Sequence, residues 1–120
     1  MRIVTRKLGD VVIFDVRGEL LVSTIEEAAL HQRVKSGLEA GVKHWLVNLA
    51  EVPFMDSSGF GELLAGFISA RNSGGQLKLE HLASRVLLVF EITGLRGVFE
   101  IFDDEEAAIR SFHGAKPPAK

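Results

Sequence analysis

The run His44-Trp45-Leu46-Val47-Asn48-Leu49 narrows the possible folds more than any other stretch. It is short and almost wholly apolar. A strand with apolar side chains on both faces must be covered on both, so the run predicts a central parallel strand. Pro53 ends it, and Phe54-Met55-Asp56-Ser57-Ser58-Gly59-Phe60-Gly61 then turns polar and opens onto a different periodicity. Phe60, Leu63, Leu64, Phe67 and Ile68 recur at helical spacing, which predicts an amphipathic helix reaching about Asn72. Asp56 or Ser57 is its expected N-cap. Both lie at the carboxyl side of the strand, where open α/β sheets collect exposed sites.

The rest of the chain fits around that unit. Ile3–Leu8 and Val11–Val16 read as strands joined by the turn dipeptide Gly9-Asp10, giving an N-terminal hairpin. Ser23-Thr24 with Glu26 and Glu27 forms two overlapping capping boxes, so a helix begins there, with Leu30, Val34 and Leu38 inward and Gly41 as terminator. Gln76–Glu80 is the next strand. Ala83–Ile92 is a helix with Val86, Leu87 and Phe90 inward, stopped by Gly94. Val98–Phe102 is a last strand, and Asp103–Phe112 a final helix whose acidic start suits its dipole. The fold class is α/β, a mixed, mostly parallel sheet of four to five strands with an N-terminal hairpin, covered by about four helices. Leu46, Val47, Leu49, Leu63, Leu64, Phe67, Leu77 and Leu79 are the expected core, and Trp45 is expected in it or beside it. A single domain over residues 1–113 is expected, with a disordered tail over 114–120.

Totals exclude several classes. At 120 residues there is room for one core. A net charge of −2 gives no electrostatic reason for nucleic acid or an anionic membrane as partner. Without cysteine there is no disulfide, thiol nucleophile or thiolate metal site. No apolar run reaches the roughly 18 residues of a membrane span, so no membrane insertion is expected. Met1–Lys7 lacks the apolar core of a signal peptide, and a cytoplasmic protein is expected.

The Asp56-Ser57-Ser58 cluster places a hydroxyl at the positive end of a helix dipole, next to a carboxylate. An ordinary cap needs no more than that. The opposite side of the helix, with Gly59, Gly61, Ala65, Gly66, Ser69 and Ala70, is nearly bare of side chains. Interior glycines cost about 0.8–1.0 kcal/mol each against alanine, so Gly61 and Gly66 call for close approach by a neighbouring element or a partner. A smooth surface beside a hydroxyl suggests docking controlled by phosphorylation. Enzyme readings fare worse. Gly59-Phe60-Gly61, with Glu80 some 20 residues on, imitates a dinucleotide fingerprint, but Leu64 holds the third glycine position and a long loop, Ala50–Asp56, replaces the tight turn. Ser58 lacks the Gly-x-Ser-x-Gly elbow of a hydrolase. His31, His44, His81 and His113 have no metal-ligand spacing and read as surface residues. No cofactor or metal is expected.

Three stretches carry a family likeness: Gly18-Glu19-Leu20 with Thr24; Val47-Asn48-Leu49 with Phe54 to Gly61; and Ile92-Thr93-Gly94-Leu95 with Val98-Phe99 and the acidic 103–106 segment before Ala107-Ala108. In this order they resemble the STAS family, named for sulfate transporters and anti-sigma factor antagonists, over about residues 3–112. The serine directly after aspartate is most similar to stand-alone bacterial anti-sigma factor antagonists. That resemblance implies a binding protein, not an enzyme. Its partners would be an anti-sigma factor with serine kinase activity, which phosphorylates Ser57, and a serine phosphatase that resets the switch. The unphosphorylated form would bind the anti-sigma factor and release the sigma factor. Asp56 would shape the loop, and Ser58 and Gly59 would present it, with Gly61 on the docking surface. Leu21 stands where the family commonly has aspartate, at a loop expected beside Ser57. The alternative within the family is a subunit that does not switch, in a stress-signalling scaffold or a membrane transporter complex.

Overall fold

The computed structural model describes residues 2–18 and 29–114. The capping boxes at 23–27, the loop with Leu21, and the tail beyond Gly114 lie outside the described residues. The N-terminal hairpin forms as expected: β1 (Arg2–Leu8) pairs antiparallel with β2 (Val11–Arg17). Gly9 makes the turn at φ +61°, a left-handed value that glycine adopts without a Cβ penalty. Then follow α1 (Ala29–Glu39), β3 (His44–Glu51), α2 (Ser57–Asn72), β4 (Gln76–Glu80), α3 (Ser84–Thr93), β5 (Ile101–Phe102) and α4 (Glu105–Ser111).

The sheet order is β1-β2-β3-β4-β5, with β3 at the centre and every pairing after the first parallel. That order decides where the helices lie. Each new parallel strand is added on the same side of the last, so right-handed crossovers put α1, α2 and α3 on one face. The helix after the far edge strand, α4, folds back across the other.

Register divides the side chains accordingly. Phe14, Val47 and Leu79 are paired across β2, β3 and β4. With Val16, Trp45, Leu49 and Leu77 they form a dry core with Leu30 and Val34 of α1, Leu63 of α2, and Val86 and Phe90 of α3. One residue along, Ile13 and Leu46 join Val11 in a smaller core closed by Ala108 and Phe112 around α4. Trp45 is 1% exposed, and Gly37 of α1 lies directly over it: a Cβ there would sit 2.8 Å from the indole. Alanine at Gly37 would displace the largest side chain of the core.

Helix α2 keeps most of the expected stripe, with Phe60, Leu64 and Phe67 packed against the core, but its deepest line is shifted. Leu63 is fully buried, but Leu64 and Phe67 are only partly buried and Ile68 is 45% exposed. The buried line is instead Gly59, Leu63, Gly66 and Ala70. The cause is close packing: a Cβ on Gly66 would meet Leu77 at 3.4 Å and Val34 at 3.5 Å. Much of the bare surface is therefore the seat for α1 and β4. His31 and Glu62 fasten that contact, the Glu62 carboxylate accepting from the His31 backbone N–H at 3.0 Å, with the His31 ring 3.1 Å from the Ser69 hydroxyl.

The last strand is also shorter than expected. Gly94, at φ +80°, ends α3 and leads into a 3₁₀ turn, Leu95–Gly97, so pairing starts only at Ile101. Val98 is left exposed, while Phe99 turns inward between Phe67 and Phe90, with ring centroids 4.9 and 5.6 Å away. Helix α4 begins at Glu105, capped by Asp104, whose carboxylate accepts from the Ala107 N–H at 3.1 Å.

Candidate protein-interaction site

β3 continues through Glu51, so only Val52–Asp56 connects it to α2, less than the loop expected from Ala50. Val52 and Met55 are buried and anchor this connection at both ends, while Phe54 between them is 39% exposed. Asp56 arrives in extended backbone (φ −99°, ψ −170°), and its Oδ1 accepts from the N–H groups of Ser58 and Gly59 at 3.0 and 3.1 Å. These are first-turn donors with no partner inside the helix. Asp56, not Ser57, is the cap.

Ser57 is thereby left as the first helical residue, exposed, at the positive end of α2. Ser58 is half-buried. Gly59 is buried and acts through its N–H on the Asp56 cap, so it supports the turn from beneath. Gly61, one turn on, is exposed, and a Cβ there would meet nothing within 4 Å. Phe60 locks the turn to α3 through the Phe90 ring, 4.9 Å between centroids. Gly18, where the chain leaves β2, donates its N–H to the Glu51 carbonyl at 3.0 Å. The segment that carries Leu21 thus departs beside the end of β3; Leu21 itself lies outside the described residues.

A second polar group occupies this end of the sheet, on the α4 face. Asp15, Asn48 and Glu80 are register partners on β2, β3 and β4. Arg6 pairs with Asp15 at 2.6 Å and with Glu105 at 2.8 Å, and Asn48 donates to Asp15 at 2.8 Å. Hydrogen bonding to Arg6 holds both Asp15 and Glu105 below the ordinary carboxylate range. Glu80 goes the other way. Its side chain is fully buried, with neither oxygen in a well-formed hydrogen bond. Burial first, and the Glu105 carboxylate beside it second, push its pKa up to about 8. The acid that imitates a ribose ligand in the sequence is thus enclosed under α4. His81, next along, takes a left-handed φ of +58° and donates its N–H to the Phe102 carbonyl at 2.8 Å.

His113 is exposed as expected, but His44 departs from the sequence reading. His44 at the start of β3 has only 19% of its side chain exposed, and it meets His113 and Asp10 at the opposite end of the sheet from Ser57. Sequence spacing gave no sign of this group, because its members lie in a hairpin turn, on a central strand and after the last helix.

Among the described residues, no helix is long and apolar enough to cross a membrane. A model of the STAS domain matches residues 2–108. An anti-sigma-B factor antagonist of Listeria monocytogenes is 36% identical over 89 residues, covering 72% of this chain and 74% of that protein. The anti-sigma-B factor antagonist of Bacillus subtilis is 37% identical over 62 residues; that match covers 52% of this chain and spans only 57% of the Bacillus protein. The Bacillus cell fate determinant SpoIIAA has the same fold, its phosphorylated form giving a TM-score of 0.71 at 23% identity over 92% of this chain and 98% of that one. Its unphosphorylated form, solved as an anti-sigma factor antagonist, gives 0.67 at 22% identity over 94% and 99%. The chain belongs to the STAS domain family.

Proposed function

We propose that this protein is a cytoplasmic anti-sigma factor antagonist, a binding protein with no catalytic role, switched by phosphorylation of Ser57. In the unphosphorylated form the first turn of α2, with Asp56, Ser57, Ser58 and Gly61, docks on an anti-sigma factor that is also a serine kinase, and the sigma factor is released. Gly59 holds the Asp56 cap beneath that surface, and Leu21 is a further partner contact in this reading. A serine phosphatase resets the switch. The observation that carries this reading is the division of labour at the helix start: Asp56 does the capping, and Ser57 is left exposed with no need to serve the fold.

The chemistry of inhibition follows from charge. A phosphate adds about −1.5 to −2 charges and three acceptor oxygens. The positive end of the α2 dipole favours that charge while Asp56 keeps the cap, so the domain stays folded. A partner surface lying close over Gly61 would then have to desolvate that charge beside Asp56. Binding is blocked while the fold is intact. Sequence relatives named anti-sigma-B factor antagonists support the assignment. The test is incubation with the cognate kinase followed by mass spectrometry and pulldown. One phosphate on Ser57 with loss of the partner is expected; phosphate on Ser58, or a partner retained after modification, contradicts it.

A further inference from the structure

At the end of the sheet away from Ser57, three chelating side chains converge from distant parts of the sequence. Asp10 sits in the β1–β2 turn, His44 opens β3, and His113 follows α4. His113 Nε2 contacts Asp10 Oδ1, and His44 Nδ1 lies 3.2 Å from Asp10 Oδ2. One ligand atom from each, two imidazole nitrogens and a carboxylate oxygen, all fall within 4.8 Å of one another.

His44 is the informative member. Its Nδ1 is buried and makes no well-formed hydrogen bond, although Asp10 Oδ2 lies 3.2 Å away. A buried polar nitrogen left so destabilises the fold. A proton on it would ordinarily give a charge-assisted hydrogen bond; a bare lone pair facing a carboxylate is repelled. A cation between them removes the conflict. The ring is also held in place, 5.1 Å from Phe112 and edge-on to His113 at 5.8 Å. Asp10 and His44 also line an open cavity of about 390 Å³, and His113 and Asp10 are themselves exposed, so the group is open to solvent.

We infer that Asp10, His44 and His113 form a site for one divalent transition-metal ion of the Zn²⁺ class, which ties α4 to the hairpin turn and the central strand. Two imidazoles and one carboxylate suit Zn²⁺ and its neighbours better than Mg²⁺ or Ca²⁺, which prefer oxygen alone. Three protein ligands leave a fourth position for water. The site is remote from the proposed phosphoacceptor, so its role is to hold the scaffold.

The test uses the full chain without an affinity tag, stripped with a chelator and titrated with zinc chloride by calorimetry near neutral pH, alongside thermal melts. One Zn²⁺ per chain, a melting midpoint that rises with zinc, and no response to Mg²⁺ are expected. His113→Ala, at an exposed position, should lower affinity by at least the ~10-fold that loss of an outer-shell partner costs elsewhere. Asp10→Asn should do the same. His31→Ala and His81→Ala should bind as the parent does. His44→Ala also loses its Phe112 contact, so it is read only if its metal-free melt is cooperative. No saturable binding, or binding unchanged by both His113→Ala and Asp10→Asn, would overturn the inference.

Discussion

The two halves of α2 are built by opposite rules. From Leu63 to Ala70 the helix is pressed between α1 and β4, and Gly66 is buried where Leu77 and Val34 stand at contact distance, with room for a methyl group and nothing larger. In the first turn, Ser57 is exposed and Gly61 faces open space. One glycine thus lies inside the packing, where only a small residue fits. The other has no such neighbour, and still costs the helix about 0.8–1.0 kcal/mol. A small residue that nothing internal requires belongs to function, whereas one under a neighbour's side chain belongs to the fold.

The comparison breaks most visibly at Leu63. Leu63→Ala empties a fully buried position and should cost about 2–5 kcal/mol in a denaturant melt. Leu64→Ala, at a partly buried position, should cost less. Equal losses would mean the buried line does not run through Gly66. Next in size is overfilling: Gly66→Leu should cost about 1–3 kcal/mol by forcing α1 and β4 apart.

Glu80 sharpens the contrast from the far side of β4, the strand that carries Leu77 under Gly66. Its folded pKa, about 8, stands above the ordinary value of 4.5, so between those values the folded state holds a proton that the unfolded state has released. Glu80's contribution to stability is therefore complete below about pH 4.5 and declines as pH rises toward 8. The limiting slope is about 1.36 kcal/mol per pH unit. Glu105, held low by Arg6, acts in reverse and loses its contribution as pH falls through its depressed value. Glu80→Gln should remove the decline seen in urea midpoints toward pH 8 and leave partner binding unchanged. A midpoint profile identical to the parent's would show that Glu80 is ionised in the fold.

A smaller effect on stability is more diagnostic. Gly61→Ala should stabilise the helix by about 0.8–1.0 kcal/mol, because its Cβ meets nothing. The same methyl group should weaken the partner complex. Gain in stability without loss of binding would make Gly61 an ordinary surface position.

How much of this was legible in the sequence depends on how local the cause is. The hairpin, the central strand and the start of α2 are set by residues adjacent in the chain, and all three lie where periodicity and turn chemistry place them. Asp56 and Ser57 are equally good caps on paper; backbone geometry chose Asp56. The stripe on α2 holds for Phe60, Leu63, Leu64 and Phe67 and fails at Ile68, because hydrophobic spacing cannot register a helix that also packs through Gly66 and Ala70. Val98 looked like strand but is spent on the 3₁₀ turn after Gly94. Asp10, His44 and His113, and likewise Asp15, Asn48 and Glu80, meet only through strand register and the return of α4. Neither pairing follows from local pattern.

The most direct test of the switch compares Ser57→Ala and Ser57→Asp in one experiment, affinity for the anti-sigma factor measured beside the unfolding midpoint. Asp56 supplies the cap, so Ser57→Ala should fold and bind like the parent and resist inactivation by the kinase. Ser57→Asp should be as stable or slightly more so, by about 0.3–1 kcal/mol, since a carboxylate in the first turn favours the dipole. Its affinity should nonetheless collapse. Full stability with lost binding in Ser57→Asp is the predicted result; unchanged binding in both variants would contradict the account.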